Sequence, residues 1–352
     1  MTNPSCDILI VGAGPAGSSA ALTAARTGMH VILVERRPVI GVPVRCAEYI
    51  PALLMGKMDI EKSFVVQSLR GMQTILPDGT TKETQAPGFT IRRDLFDQAL
   101  ADAAKRAGVQ LMLSTRAVSR EGHNIHLKSS NGPHMTIAAK VIIGADGPHT
   151  TVGRWIGSVN QCLIPAIQVS VPLIHPMDVT EVYFDLKMFG GYGWLFPKGN
   201  IANVGLGMKR STHTPVQLKS ALKQFVARLA ESGKIKDEFS GYIAGWIPTT
   251  PPRRVVHENV LLVGDAAGHT HPITGAGISS AVICGRMAGK WAARAVECNN
   301  LKLLDSYETE WRDLLEETLE RAYSRRQLLE ANWAQLDEII FSCWTAFKGY
   351  YA

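Results

Sequence analysis

No two of the six cysteines (Cys6, Cys46, Cys162, Cys284, Cys298, Cys343) stand in a Cys-x-x-Cys pair, so neither a zinc site nor a disulfide framework is indicated. Reduced thiols and a cytoplasmic protein are expected. No stretch approaches the roughly 18 uninterrupted apolar residues of a membrane span. The opening residues, Met1 to Asp7, lack a basic region and the apolar run after them is short, which reads against a signal peptide. Basic residues outnumber acidic ones, 37 to 31, but they are scattered and no nucleic-acid motif accompanies them. The net charge of +6 suits an acidic ligand or an anionic membrane surface. There is no internal repeat and no low-complexity segment. What is present is 352 residues, 46% of them hydrophobic, enough for a large core and two interleaved domains.

The chain is organised around Asp7-Ile-Leu-Ile-Val-Gly-Ala-Gly-Pro-Ala-Gly17. Ile8 to Val11 is an apolar run suited to a parallel strand covered on both faces. Gly12 allows the tight turn, Gly14 lets the backbone approach a pyrophosphate, and Gly17 lets the following helix, Ser18 to Thr27, pack closely on the strand. A second strand, His30 to Val34, ends at Glu35, whose carboxylate can accept both hydroxyls of an adenosine ribose. Strand, glycines, helix, strand and acid come in the order and the roughly 30-residue span of a dinucleotide site. An acid at Glu35 favours FAD or NAD over NADP.

A turn-rich loop, Arg36 to Pro51, follows at a strand end that faces the ligand crevice. Two readings stand for Cys46: a thiol near the cofactor with its pKa lowered by Arg45, or a semi-buried loop cysteine. Val65 to Thr90 alternates apolar and polar around a Pro77 to Gly79 turn, predicting a hairpin. Residues 92–108 read as an amphipathic helix stopped by Gly108. Arg93 at its start serves the dipole poorly, which a nearby phosphate or flavin polar group explains; a solvated arginine is the other reading. Strands are expected at Gln110–Leu113, Arg116–Arg120, His123–Ser129 and Lys140–Gly147, and again from about Gln161 to Met208, followed by a helix at Thr214–Ser232. Asn259 onward predicts a buried strand, a turn and a helix from Ala276 to Cys298, and Leu301 to the C-terminus reads as C-terminal helices carrying a long amphipathic stripe.

Three landmarks stand in one chain: Gly12, Gly14 and Gly17 with Glu35; Ala145-Asp146-Gly147; and Gly264-Asp265-Ala266-Ala267-Gly268 with Pro272, Gly275 and Gly277. Together they resemble the FAD-binding fold of the para-hydroxybenzoate hydroxylase type, over nearly the whole chain. Gly41-Val-Pro-Val-Arg-Cys46, Arg93-Asp-Leu-Phe-Asp97 and Tyr192-Gly-Trp-Leu-Phe-Pro-Lys-Gly199 are similar to segments of the geranylgeranyl reductase family. The resemblance implies an α/β fold, with a Rossmann-like FAD-binding domain (1–64, 91–160 and 253–300) interleaved with an antiparallel-sheet substrate domain (65–90 and 161–252), and a C-terminal helical segment (301–352). Ala47-Glu48-Tyr49 departs from the family's glycines after the loop cysteine, and the C-terminal part is short for the family.

On this resemblance Asp265 bonds the ribityl chain, and the Pro272–Gly277 loop and the helix start at Ala276 and Ile278 lie against the flavin. Pro15, Ala16, Arg36, Arg45, Cys46, Arg93, Ala117, Val118, Asp146, Gly147 and Gly264 complete the residues expected at the cofactor. Cys46, Tyr192 and Trp194 are the candidates for catalysis and substrate lining, the aromatic segment being alternatively plain core. His269 and His271 are either proton donors or solvated turn histidines. The implied activity is reduction of carbon-carbon double bonds in an isoprenoid or other apolar substrate, with electrons from NAD(P)H or another external reductant. The alternatives are a flavin monooxygenase acting on an aromatic or peptidyl substrate, a flavin halogenase, whose lysine cannot be assigned, and a flavin-carrying electron-transfer or assembly partner. The aromatic tail, Trp344, Phe347, Tyr350 and Tyr351, either touches a membrane surface or packs on the body or a dimer contact.

Overall fold

The computed structural model describes residues 4–58, 60–130, 132–209, 215–239 and 241–352. The chain forms two compact units, each assembled from three separated segments. Met1–Val42, Asp94–Cys162 and Pro248–Glu320 make the first; Pro43–Arg93, Leu163–Ile247 and Arg321–Ala352 make the second.

In the first unit the strand Ser5–Val11 lies between Val31–Val34 and His134–Gly144, parallel to both, with Ile8 opposite Val31 on one side and Val141 on the other. Val260–Leu262 and Gln110–Met112 extend the sheet in parallel. Ile8–Ile10, Val31–Val34, Val141–Ile143 and Val260–Leu262 are all buried, as continuous apolar strands covered on both faces must be. A hairpin, Thr115–Glu121 and Asn124–Ser129, pairs with the outer half of His134–Gly144. That pairing carries the last strand further back than the expected start at Lys140.

The first helix runs Pro15–Ala25 rather than from Ser18. Pro15 lacks an N–H that the first helical turn leaves unpaired anyway, and its fixed φ suits that position, so the turn ends at Gly14. The helix Arg93–Arg106 closes before Gly108, whose φ is +99°. The return helix is Ile278–Glu297.

The second unit is an eight-stranded sheet in the order Ile243–Pro248, Leu163–Pro172, Ile201–Gly207, Tyr192–Lys198, Val179–Tyr183, Val65–Ile75, Thr81–Ile91, Tyr49–Pro51. Val179–Tyr183 runs parallel to Val65–Ile75, while the hairpin joining Val65–Ile75 to Thr81–Ile91 is antiparallel about the expected turn. The helix Pro215–Glu231 lays Leu218, Leu222, Phe225, Val226 and Leu229 on one face of this sheet, over Val169, Leu195, Val204 and Leu206. The expected first residue of that helix, Thr214, lies outside the described residues.

The C-terminal segment is helical as expected, in several pieces. Asp305–Ala331 ends where the Leu328 carbonyl accepts from both the Asn332 N–H, at 3.2 Å, and Asn332 Nδ2, at 2.9 Å. A short turn, Trp333–Gln335, precedes the helix Leu336–Cys343. Trp344 is buried, its indole N–H donating to Thr74 Oγ1 at 2.9 Å, and Tyr350 is buried too; Tyr351 is exposed. Most of the aromatic tail is therefore packed. No helix among the described residues is long and apolar enough to cross a membrane.

Candidate functional site

The parallel strands of the first unit end together at Val11, Val34, Gly144 and Leu262, so residues 12–14, 35, 145–147 and 263–265 emerge along one sheet edge. That edge is where open α/β sheets bind ligands. The three turn glycines are there for different reasons. Gly12 has φ +103°, and a Cβ on it would come within 2.4 Å of the Ala145 carbonyl oxygen. A Cβ on Gly17 would lie 1.9 Å from the Gly12 carbonyl oxygen. Gly14 has an ordinary extended backbone, φ −73° and ψ −176°, and a Cβ there meets nothing within 4 Å. Nothing in the chain's own packing asks for glycine at 14; a pyrophosphate approaching the helix start does.

Two helix N-termini converge on this edge. Pro15–Ala25 and Ile278–Glu297 both begin at a glycine, Gly14 and Gly277, with no side-chain cap. Their close packing rests on Gly285 and Gly289, one turn apart, whose Cβ atoms would each come within 2.3 Å of the carbonyl oxygens of Ala16 and Ala20. Uncapped amides and the positive ends of two helix dipoles suit a phosphate or an anionic ring system.

Glu35 accepts from the Ala13 N–H at 2.9 Å through Oε2 and from the Arg37 N–H at 3.0 Å through Oε1. Each carboxylate oxygen retains a second acceptor direction, which is what ribose hydroxyls need. The residues present therefore fit FAD: Gly12 to Gly17 at the pyrophosphate, Glu35 at the ribose, and the Pro272–Ile278 turn at the start of the return helix.

The remaining strand ends carry local networks. Asp146 takes the Thr150 hydroxyl and the Thr151 N–H, both at 2.5 Å, so its carboxylate caps the short helix Thr151–Trp155. Gly147 has φ +83° with open space around it. Asp265 Oδ1 accepts from Thr270 Oγ1 at 2.7 Å, and its carbonyl accepts from Asn160 Nδ2 at 2.8 Å. Thr270 and Asn160 escaped the sequence reading because their partners are set by the turn's folding. Pro272 is buried, Gly275 takes φ +66°, and Ala276 is exposed, its carbonyl accepting from the His271 N–H. Ala117 is buried in its strand; Val118 bulges out of register and is exposed, as is Arg36.

The turn histidines are not solvated. His269 is 1% exposed against Trp311, with ring centroids 4.9 Å apart and no hydrogen-bond partner for either ring nitrogen among the described residues. Burial pushes it down to about 3, and pushes His271 down to about 4. His271 Nδ1 accepts from the Thr274 N–H. Both rings are neutral near pH 7, so neither stands ready as an imidazolium proton donor.

In the second unit Cys46 is half-buried, and of its two readings the thiol with its pKa lowered by Arg45 is not the one found. Burial of the thiol raises its pKa, and the cation that works against that rise is Arg93, not its sequence neighbour Arg45, which is exposed. The Arg93 side chain also hydrogen-bonds the Cys46 sulfur, so this arginine serves the thiol. Gln168 Nε2 holds the Cys46 carbonyl at 2.8 Å.

Tyr192, Trp194 and Phe196 share the sheet face opposite the helix Pro215–Glu231, with Leu195 pointing the other way. Tyr192 packs edge-on against Trp194 at 6.2 Å and against Trp344 at 5.3 Å. Trp194 is 7% exposed and lies across Gly205 of the next strand, where a Cβ would come within 2.3 Å of its ring. Its indole N–H has no hydrogen-bond partner among the described residues. The face is aromatic and carries no charge between Tyr192 and Pro197. No cluster suited to a metal ion occurs among the described residues.

Comparison with known proteins agrees with this geometry. A family model described as FAD dependent oxidoreductase matches residues 7–148, and one described as FAD binding domain matches residues 85–322. A digeranylgeranylglycerophospholipid reductase of Methanothrix thermoacetophila is 36% identical over 338 residues, covering 90% of this chain and 85% of that one. Among solved structures, a geranylgeranyl bacteriochlorophyll reductase-like protein from Thermoplasma acidophilum superposes with a TM-score of 0.89 at 27% identity, covering 99% of this chain and 92% of the other. A probable FAD-dependent monooxygenase from Pseudomonas aeruginosa shares the fold, with a TM-score of 0.73 at 18% identity over 96% of this chain and 99% of that one.

Proposed function

The chain belongs to the geranylgeranyl reductase family of FAD-dependent oxidoreductases, and from that premise we propose that it reduces carbon-carbon double bonds in the isoprenoid chains of a lipid. FAD, when bound and reduced by NAD(P)H or another external donor, would supply the hydride that, with a proton, adds across each double bond. The chain's own part begins with Gly12 to Gly17, which seat the pyrophosphate on a helix start, and Glu35, which selects free ribose hydroxyls. The observation that carries the apolar-substrate reading is the aromatic face of Tyr192, Trp194 and Phe196, which offers a prenyl chain contact, the charges beyond it, Lys198 and Glu48, being paired with each other. Cys46 is the thiol assigned to turnover. Delivery of so apolar a substrate is best served by contact with a membrane surface, which the net charge of +6 favours for anionic lipids.

The test is mass spectrometry of isoprenoid lipids incubated with the chemically reduced holoprotein, with and without oxygen. Gains of about 2 mass units, or multiples, in the anaerobic sample are expected. Gains of about 16 appearing only with oxygen would replace this reading with a monooxygenase.

A further inference from the structure

Two residues beyond Cys46 stands Glu48, a carboxylate that the flavin and substrate assignments leave without a role. It is 3% exposed and sits at φ +70°, a conformation that side-chain-bearing residues hold only when their surroundings impose it. Four contacts do so. Its Oε1 accepts from the Arg93 N–H at 2.8 Å; its Oε2 accepts from Lys198 Nζ at 2.5 Å and from Asn203 Nδ2 at 2.8 Å; and its own N–H donates to Cys46 Sγ at 3.2 Å. The same Asn203 amide reaches the Ala47 carbonyl at 3.3 Å. Lys198 and Asn203 stand on adjacent strands, and Arg93 opens the helix after the hairpin, so one carboxylate joins three elements to the turn that carries the thiol.

We propose that Glu48 is the positioning residue for Cys46, its buried carboxylate fixing the thiol-bearing turn against Lys198, Asn203 and the Arg93 amide. A glycine would adopt this backbone with less strain, but would leave Lys198, Asn203 and the Arg93 amide without their shared acceptor. The charged groups around the sulfur are Arg93, which favours the thiolate, Glu48, which opposes it, and Lys198, which is paired to Glu48; Arg45 is exposed. Glu48 thus holds the thiol in place, and its charge adds to the burial that keeps the sulfur as S–H against Arg93, while its own N–H on the sulfur works the other way. The inference rests on the assignment of Cys46 to turnover, but it is measured without any substrate, so either can fail while the other stands.

The experiment is alkylation of Cys46 by iodoacetamide in the flavin-loaded full chain, followed at that cysteine by peptide mass spectrometry across pH. In Glu48→Gln the alkylation profile should move to lower pH, making the rate about tenfold faster near neutrality. Adding Lys198→Met, which removes the cation left behind, should bring the profile back toward that of the native chain. Cys343, buried in the same unit, should keep its native rate throughout. A native Cys46 profile in Glu48→Gln overturns the proposal, and so does an acceleration that Cys343 shares, since that reports loosening of the unit. Should Glu48→Gln fail to load flavin, Lys198→Met alone decides: it leaves the Glu48 charge uncompensated and should move the profile to higher pH, and an unmoved profile overturns the proposal.

Discussion

Gly285 faces Ala16 so closely that a Cβ on the glycine would stand 2.3 Å from the alanine's carbonyl oxygen. The obstacle is backbone, which cannot swing aside as a side chain can. Gly285→Ala must therefore push the return helix off the first one, at a cost of about 1–3 kcal/mol. Because both uncapped N-termini depend on that packing, flavin affinity should fall together with the midpoint of thermal unfolding. A variant that melts and binds flavin like the native chain would show the contact to be unimportant.

Gly14 predicts the reverse combination. Its backbone is open to any residue and no atom of the chain lies within 4 Å of its missing Cβ. Gly14→Val should fold with flavin-free stability within about 1 kcal/mol of native, the cost of a poorer helix cap, yet purify without flavin. Full flavin absorbance in that variant would remove the pyrophosphate from this turn. Gly12→Val, by contrast, meets both a positive φ and the Ala145 carbonyl, and should fail to fold.

Acid should destabilise the first unit through the buried His269 and the half-buried His271. His269 and His271 are pushed down to about 3 and about 4, so below the unfolded value of 6.5 the unfolded chain binds protons that the folded one refuses. The stability these neutral rings contribute is present above that value and is lost as pH falls toward their folded values, by about 1.4 kcal/mol per pH unit for each ring. His269→Leu or His271→Leu, followed by urea unfolding between neutrality and mild acid, should flatten the slope; an unchanged slope would locate the acid sensitivity elsewhere.

Cys46→Ala and Cys46→Ser should retain flavin and lower turnover of the isoprenoid substrate. The sulfur accepts from the Glu48 N–H and is held by the Arg93 side chain, contacts that a serine hydroxyl can keep in part. Anaerobic reduction of a prenyl lipid is the measurement, and native turnover in both variants would take Cys46 out of the reaction.

The nucleotide end of the molecule was legible because its determinants are local. Gly12, Gly14 and Gly17 act within one turn, and the strands on either side are unbroken apolar runs. Gly285 and Gly289 left a signal that went unread: two glycines four apart in an otherwise good helix mark a close backbone approach. Glu48 left almost none, since the three residues that hold its carboxylate are 45, 150 and 155 positions away. The reading of Cys46 as a thiol with its pKa lowered by Arg45 fails for the same reason. Arg45 is adjacent in sequence but turns outward, and burial, which spacing does not reveal, outweighs the arginine that does reach the sulfur. His269 shows the limit of reading polar turns as solvated, because Trp311, 42 residues later, closes over it.

Both units are built from three segments each, taken alternately along the chain. During synthesis the first sheet therefore lacks Val260–Leu262 until most of the second has been made, and the Tyr192 face lacks Trp344 until later still. Neither unit can complete its core while the ribosome is producing the other, so half-built sheets with unpaired edges must coexist. Folding is committed late and over long sequence separations, and trimming the N-terminus takes a segment from the first unit while trimming the C-terminus takes one from the second.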